Sequence, residues 1–115
     1  MIAVVTRKRP TLRELVRSYL QELAAARGAS PHTLRAYEGD LESLLAFLAT
    51  REIDEPGAVT PRVLRSFLAT LEEQGPSRSS IQRRLSAVRS FFKHLVKQGL
   101  APVHPAVGLR SSRAQ

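Results

Sequence analysis

The chain has 115 residues, 43% of them apolar, and carries 18 Lys and Arg against 10 Asp and Glu, a formal net charge of +8. That length suits one domain with a modest core, and the lack of cysteine excludes disulfides and thiolate metal sites, which fits a reducing cytoplasm. No apolar run approaches the roughly 20 residues that span a bilayer, and the opening Met1-Ile2-Ala3-Val4-Val5-Thr6-Arg7-Lys8-Arg9 places its charge after its apolar part, the reverse of a secretory signal.

Residues 1–10 are expected to form a flexible basic tail. Thr11-Leu12-Arg13-Glu14 then makes a capping box, with Thr11 as N-cap and Glu14 reaching back to it. Leu12, Leu15, Val16, Tyr19, Leu20 and Leu23 follow at helical spacing, and Gly28 supplies the stop. Ser30-Pro31 restarts the chain as N-cap and first helical residue. The second stripe is Leu34, Tyr37, Leu41, Leu44, Leu45 and Leu48. Residues 51–59 hold Pro56-Gly57 and read as a loop. Thr60-Pro61 repeats the cap-and-proline device for a third helix with Val63, Leu64, Phe67, Leu68 and Leu71 inward, ended by Gln74-Gly75-Pro76. Ser77 caps a fourth helix whose stripe is Ile81, Leu85, Val88, Phe92, Leu95 and Val96, closed by Gly99. Nothing alternates with period two for long enough to make a strand. The expectation is an all-α bundle of four amphipathic helices over residues 11–101, with residues 102–115 extended.

The charge is sorted along the chain. All ten acids lie between Glu14 and Glu73, and the eight bases after Gln74 face none. On a wheel at 100° per residue the outward arc of the fourth helix collects Ser79, Gln82, Arg83, Ser86, Ser90, Lys93 and Lys97, with Arg89 at its edge. Arg78, Ser79 and Ser80 open the same helix, where free amides and the positive dipole end favour a phosphate. Most charge runs are solvated faces, but such helices mix signs for i,i+4 pairing. This one has no acid, so it is expected to face an anion, and nucleic acid is the commonest such partner. Arg78, Arg84, Lys93 and Lys97 are assigned to phosphates; Gln82, Arg83, Ser86 and Arg89 are the candidates for base edges or their neighbours. The second helix adds His32, Thr33 and Arg35 near its start. Its Gly39 costs roughly 1 kcal/mol relative to Ala, which suggests close approach of either DNA or another helix. Asp40 and Glu42 lie beyond it and limit the phosphate-facing part to the first half.

Catalytic chemistry is not legible. Tyr19 and Tyr37 sit in apolar stripes and are expected to pack in the core. His32, His94 and His104 are dispersed, without the spacing of metal ligands. No glycine loop cradles a phosphate. No cofactor, metal, membrane or small-molecule substrate is expected. The rival to a DNA-binding domain is a basic helical module that docks an acidic protein.

Several strings carry a resemblance. Ser30-Pro31-His32-Thr33, then Tyr37, Asp40-Leu41 and Phe47-Leu48, resemble the opening of the N-terminal core-binding domain of tyrosine recombinases and phage integrases, closest to the XerC/XerD type. The string from Ser80 to Phe92 is similar to the most recognisable stretch of that domain, and His104-Pro105-Ala106-Val107-Gly108-Leu109 resembles its Asn-Pro-Ala-x-x-Leu sequence, with His104 in place of asparagine. The resemblance implies a four-helix, SAM-like orthogonal bundle that forms half of a clamp around double-stranded DNA, with the second and fourth helices toward the major groove. It implies cytoplasmic work in DNA recombination and integration, of the kind tied to chromosome partition and cell division, and neighbouring recombinase protomers on the DNA. It also implies that a catalytic domain follows, so that residues 102–115 begin a linker, this fragment cuts nothing, and its parent is an enzyme. His32-Thr33-Leu34-Arg35 spells the His-x-x-Arg box of some strand-transfer enzymes. It opens a helix with no tyrosine suitably placed, and is read as coincidence.

Overall fold

A computed structural model describes residues 9–109. Residues 1–8 of the expected basic tail lie outside that range, as do Arg110 and Arg113. The described chain forms four α-helices: α1 (Leu12–Ala26), α2 (Pro31–Thr50), α3 (Pro61–Gln74) and α4 (Arg78–Lys97). The connection between α2 and α3 contains a single 3-10 turn, Pro56–Ala58.

Each helix begins where its cap residue directs. Thr11 Oγ1 accepts the Glu14 amide at 3.2 Å while Glu14 Oε1 accepts the Thr11 amide at 2.9 Å, so both halves of the capping box are made. Ser30, Thr60 and Ser77 each accept the amide three residues on, at 3.1 Å, satisfying donors that helix starts leave open. At the other ends, Gly75 (φ +88°) and Gly99 (φ +74°) take the left-handed conformation that stops a helix. Gly99 thereby lets the Leu100 amide return to the Leu95 carbonyl at 2.8 Å.

The four stripes meet in one core. α1 packs on α2, α2 on α4, and α4 also touches α1 and α3. Helix α4 is the hub, with Ile81, Leu85, Ala87, Val88, Phe91, Phe92 and Leu95 all buried. This face is broader than the predicted stripe, because α4 is covered from three sides. Phe91 and Ala87, missing from the stripe, are fully buried, and the Phe91 ring lies tilted against Tyr19 and edge-on to Phe92, with centroids 5.5 and 5.2 Å apart. Val96, placed inward by the wheel, is instead exposed at the end of the helix.

The segment after α4 packs back on the bundle. Ala101, Ala106 and Leu109 belong to the same buried cluster as the helices. His104 clasps it: its Nδ1 accepts the Ala106 amide at 3.2 Å, so Nε2 carries the proton and donates to the Arg89 carbonyl at 3.1 Å. Nδ1 thus does for the residue two ahead what an asparagine oxygen does in an Asx turn. The packed unit runs through Leu109.

Candidate nucleic-acid interface

Helix α4 rises about 30 Å over its twenty residues. Ser77 organises its start: besides the Ser80 amide, its hydroxyl lies 3.2 Å from Ser79 Oγ and donates to Ser80 Oγ at 3.1 Å. Ser80 is therefore part of the cap, while Arg78 and Ser79 stand exposed. Along the outer side, Arg83, Ser86, Lys93 and Lys97 are exposed, and Gln82 and Ser90 are half-buried. The side chains of Arg78, Lys93 and Lys97 have no hydrogen bond or ion pair among the described residues.

Three of the six cations of α4 are committed within the chain, which the charge pattern did not foresee. Arg83 Nε and Nη2 donate to the two Asp40 oxygens at 2.9 and 2.7 Å. Those bonds, and then the carboxylate's charge, raise the Arg83 guanidinium further above its ordinary value. Arg84 lies against the same carboxylate, Nε to Oδ1 3.7 Å, and its Nη1 donates to Ser43 Oγ at 3.2 Å. Arg89 donates to the Leu109 carbonyl. Arg83 and Arg84 are thus partly neutralised by an acid of the first half of the chain, and Arg89 is spent on holding the C-terminal segment. An acid-free stretch of sequence is not an acid-free surface, since Asp40 reaches α4 from 43 residues earlier. The uncompensated charge on α4 consists of Arg78 near one end and Lys93 and Lys97 toward the other.

Helix α2 lies beside this strip. His32 and Arg35 are exposed, and Thr33 belongs to the cap, its Oγ1 accepting from Ser30 Oγ at 3.1 Å. Glu42, expected to repel phosphates, pairs with Arg13 of α1 at 2.6 Å. Asp40 is 1% exposed and faces inward toward α4. At Gly39 an added Cβ would meet nothing within 4 Å, so packing against another helix of this chain does not explain the glycine, and the surface there is open to a partner.

Sequence reasoning missed Asp40, Ser43 and His104 as organisers of this face. The wheel held the first signal: Asp40 sits at the flank of the α2 leucine stripe, where a carboxylate must be buried or paired. Among the described residues, no three His, Asp or Glu side chains group as metal ligands do, and no helix is long and apolar enough to cross a membrane. Tyr19 is 1% exposed and burial pushes its phenol up, as expected of a core tyrosine. The groove of about 530 Å³ lined by Arg9, Leu15, Glu55, Leu100 and Pro102 among others includes no residue of α4.

The profile of the phage integrase N-terminal SAM-like domain matches residues 16–99 of this four-helix chain. The chain belongs to this family. It is 40% identical over 100 residues to the tyrosine recombinase XerC of Xylella fastidiosa (strain M23), covering 87% of this chain and 34% of that protein. It is 37% identical over 101 residues to the XerC of Alcanivorax borkumensis, covering 88% and 32%. The chain therefore spans about a third of the length of the curated relatives it matches. Among solved structures, a lambda integrase (75–356) dimer bound to a COC′ core site superimposes with a TM-score of 0.76 at 20% identity, over 91% of this chain and 37% of that one. That likeness bears out the all-α, four-helix SAM-like fold.

Proposed function

We propose that this chain is the DNA core-binding domain of a XerC/XerD-like site-specific tyrosine recombinase, and that it grips duplex DNA at a core half-site without cleaving it. The observation that carries this reading is the outer strip of α4. Arg78, Lys93 and Lys97 are exposed and unpaired among the described residues, on a helix interspersed with the small serines Ser79 and Ser86. Such a surface lies close against a groove wall and releases counterions from phosphates. The open surface at Gly39 adds room for a backbone to approach α2. In this reading His32, Arg35, Thr33, Ser80 and Arg84 form the margins and Gln82, Arg83 and Ser86 are the candidates for base edges, whereas Arg89, expected among them, is tied to the Leu109 carbonyl. The lambda integrase neighbour was solved as a dimer on a core site. By analogy, further recombinase protomers are the partners on DNA, and the complete protein is the recombining enzyme, acting in the cytoplasm.

Fluorescence anisotropy with a plain duplex tests the reading. Binding is expected in the non-specific range of about 10⁻⁴ to 10⁻⁶ M at physiological salt, and to weaken steeply as salt rises. A parallel titration with polyglutamate addresses the rival, a protein-docking module: equal affinity for polyglutamate and duplex would favour it. Nicks in supercoiled plasmid incubated with the chain would contradict the non-cleaving assignment.

A further inference from the structure

The Asp40–Arg83 pair neutralises a cation on the surface proposed to meet DNA, which makes poor sense if Arg83 serves only to attract phosphates. Its geometry suggests another use. A guanidinium has two donor forks: Nε with Nη2 on its side, and Nη1 with Nη2 at its end. Asp40 takes the side fork, with both bonds short, at 2.9 and 2.7 Å. The end fork is left unclaimed, and half of the Arg83 side chain is exposed while Asp40 is 1% exposed. The carboxylate itself is held in place by its burial on α2 beneath α4, where Arg84 Nε, 3.7 Å from Oδ1, adds a second positive charge but no hydrogen bond. Arg83 is therefore oriented by a fixed partner beneath it. A planar, pre-aimed pair of N–H donors matches the O6 and N7 acceptors of guanine in the major groove. Gly39, next to Asp40, adds no side chain to obstruct the approach.

We infer that Asp40 is a positioning residue that holds Arg83 as a guanine reader, so that Arg83 supplies sequence preference rather than bulk affinity. This rests on the proposed DNA-binding function and goes beyond it by assigning one base and the residue that aims at it. Asp40 also has a cost: it subtracts a charge from the phosphate-facing helix. Its removal should therefore move the two properties in opposite directions, which neither a phosphate-binding nor a purely structural Arg83 would produce.

The test is selection from a random-duplex pool with the 115-residue chain at low salt, followed by titration of the enriched duplex and of an unselected one. Wild type should enrich a guanine at one fixed position, and 7-deazaguanine there, which lacks the N7 acceptor, should weaken its binding about 5- to 100-fold. Asp40→Asn should lose the enrichment and the sensitivity to 7-deazaguanine, yet bind the unselected duplex about two- to tenfold tighter, having shed a negative charge. Should Asp40→Asn fold poorly by circular dichroism, Arg83→Lys decides the matter. It keeps the charge without the fork, so the guanine preference should vanish and the affinity for the enriched duplex should fall to that for the unselected one. If wild type binds duplex but enriches no guanine, or if a folded variant keeps the enrichment, Arg83 is no reader and the inference fails. If wild type binds no duplex at all, the failure belongs instead to the proposed function.

Discussion

The bond between Asp40 and Arg83 should be unequal in its two halves when either is removed. Arg83→Ala leaves a carboxylate that is 1% exposed, with only Arg84 Nε nearby at 3.7 Å, too far for a good hydrogen bond. Stranding a buried charge costs about 3–5 kcal/mol. The lower figure applies here, because Arg84 remains as a partial counter-charge. Asp40→Ala leaves Arg83 half-exposed, so its guanidinium can turn to water. The loss then falls mainly on Arg84, whose Nε is already buried without a hydrogen bond, and about 1–2 kcal/mol is expected. The double variant should be less destabilised than the two single losses summed, since it strands neither group, with a coupling of about 1–3 kcal/mol. Urea unfolding followed by circular dichroism would measure all four corners. In thermal melts the Arg83→Ala loss corresponds to about 4–8 °C per kcal/mol for a domain of this size. An Arg83→Ala variant within about 0.5 kcal/mol of wild type, and showing no coupling, would mean that the pair does not hold α2 against α4 in solution.

Further outcomes follow from the same coordinates. Lys93→Ala with Lys97→Ala should lower the magnitude of the log–log salt slope for duplex binding by about 1.8, whereas Arg83→Ala should change it by less than about 0.9, because Asp40 already compensates that cation; equal slopes for wild type and the lysine pair, measured by anisotropy between 50 and 200 mM salt (a range on the order used for such slopes), would remove α4 from the interface. Phe91→Ala, at a fully buried position between Tyr19 and Phe92, should cost about 3–5 kcal/mol in urea unfolding. Val96→Ala, at an exposed one, should stay within about 0.5 kcal/mol; similar losses at the two sites would contradict the orientation of α4. His104→Ala removes the acceptor for Ala106 and the donor to Arg89, and should cost about 1–2 kcal/mol, while His104→Asn should keep much of that by accepting the Ala106 amide; a worse result for Asn than for Ala would undo the Asx-like role.

What the sequence made legible follows from the range of the interactions involved. Caps such as Thr11 with Glu14 and Ser77 with Ser80 join residues three apart, so they can be read directly from short strings, and the structure makes each of them. The leucine stripes were equally readable because helical periodicity is local. The errors lie where partners are distant along the chain. Phe91 and Ala87 looked peripheral because a wheel assumes one buried face, whereas α4 is enclosed by α1, α2 and α3. Arg83 looked free because no acid lies near it in sequence, although Asp40 lies 43 residues earlier. Leu109 looked like linker because its anchor, Arg89, is 20 residues away on a helix assigned to other work. In each case a short string specified the backbone and left the side chain's partner open. That distinction governs how α4 should be read. Its three tied arginines join α4 to α2 and to the C-terminal segment, while Arg78, Lys93 and Lys97 are untied among the described residues. Net charge alone gave no means of telling the two groups apart. A variant series graded by intramolecular pairing, rather than by charge, is therefore the one that should order the losses in duplex affinity.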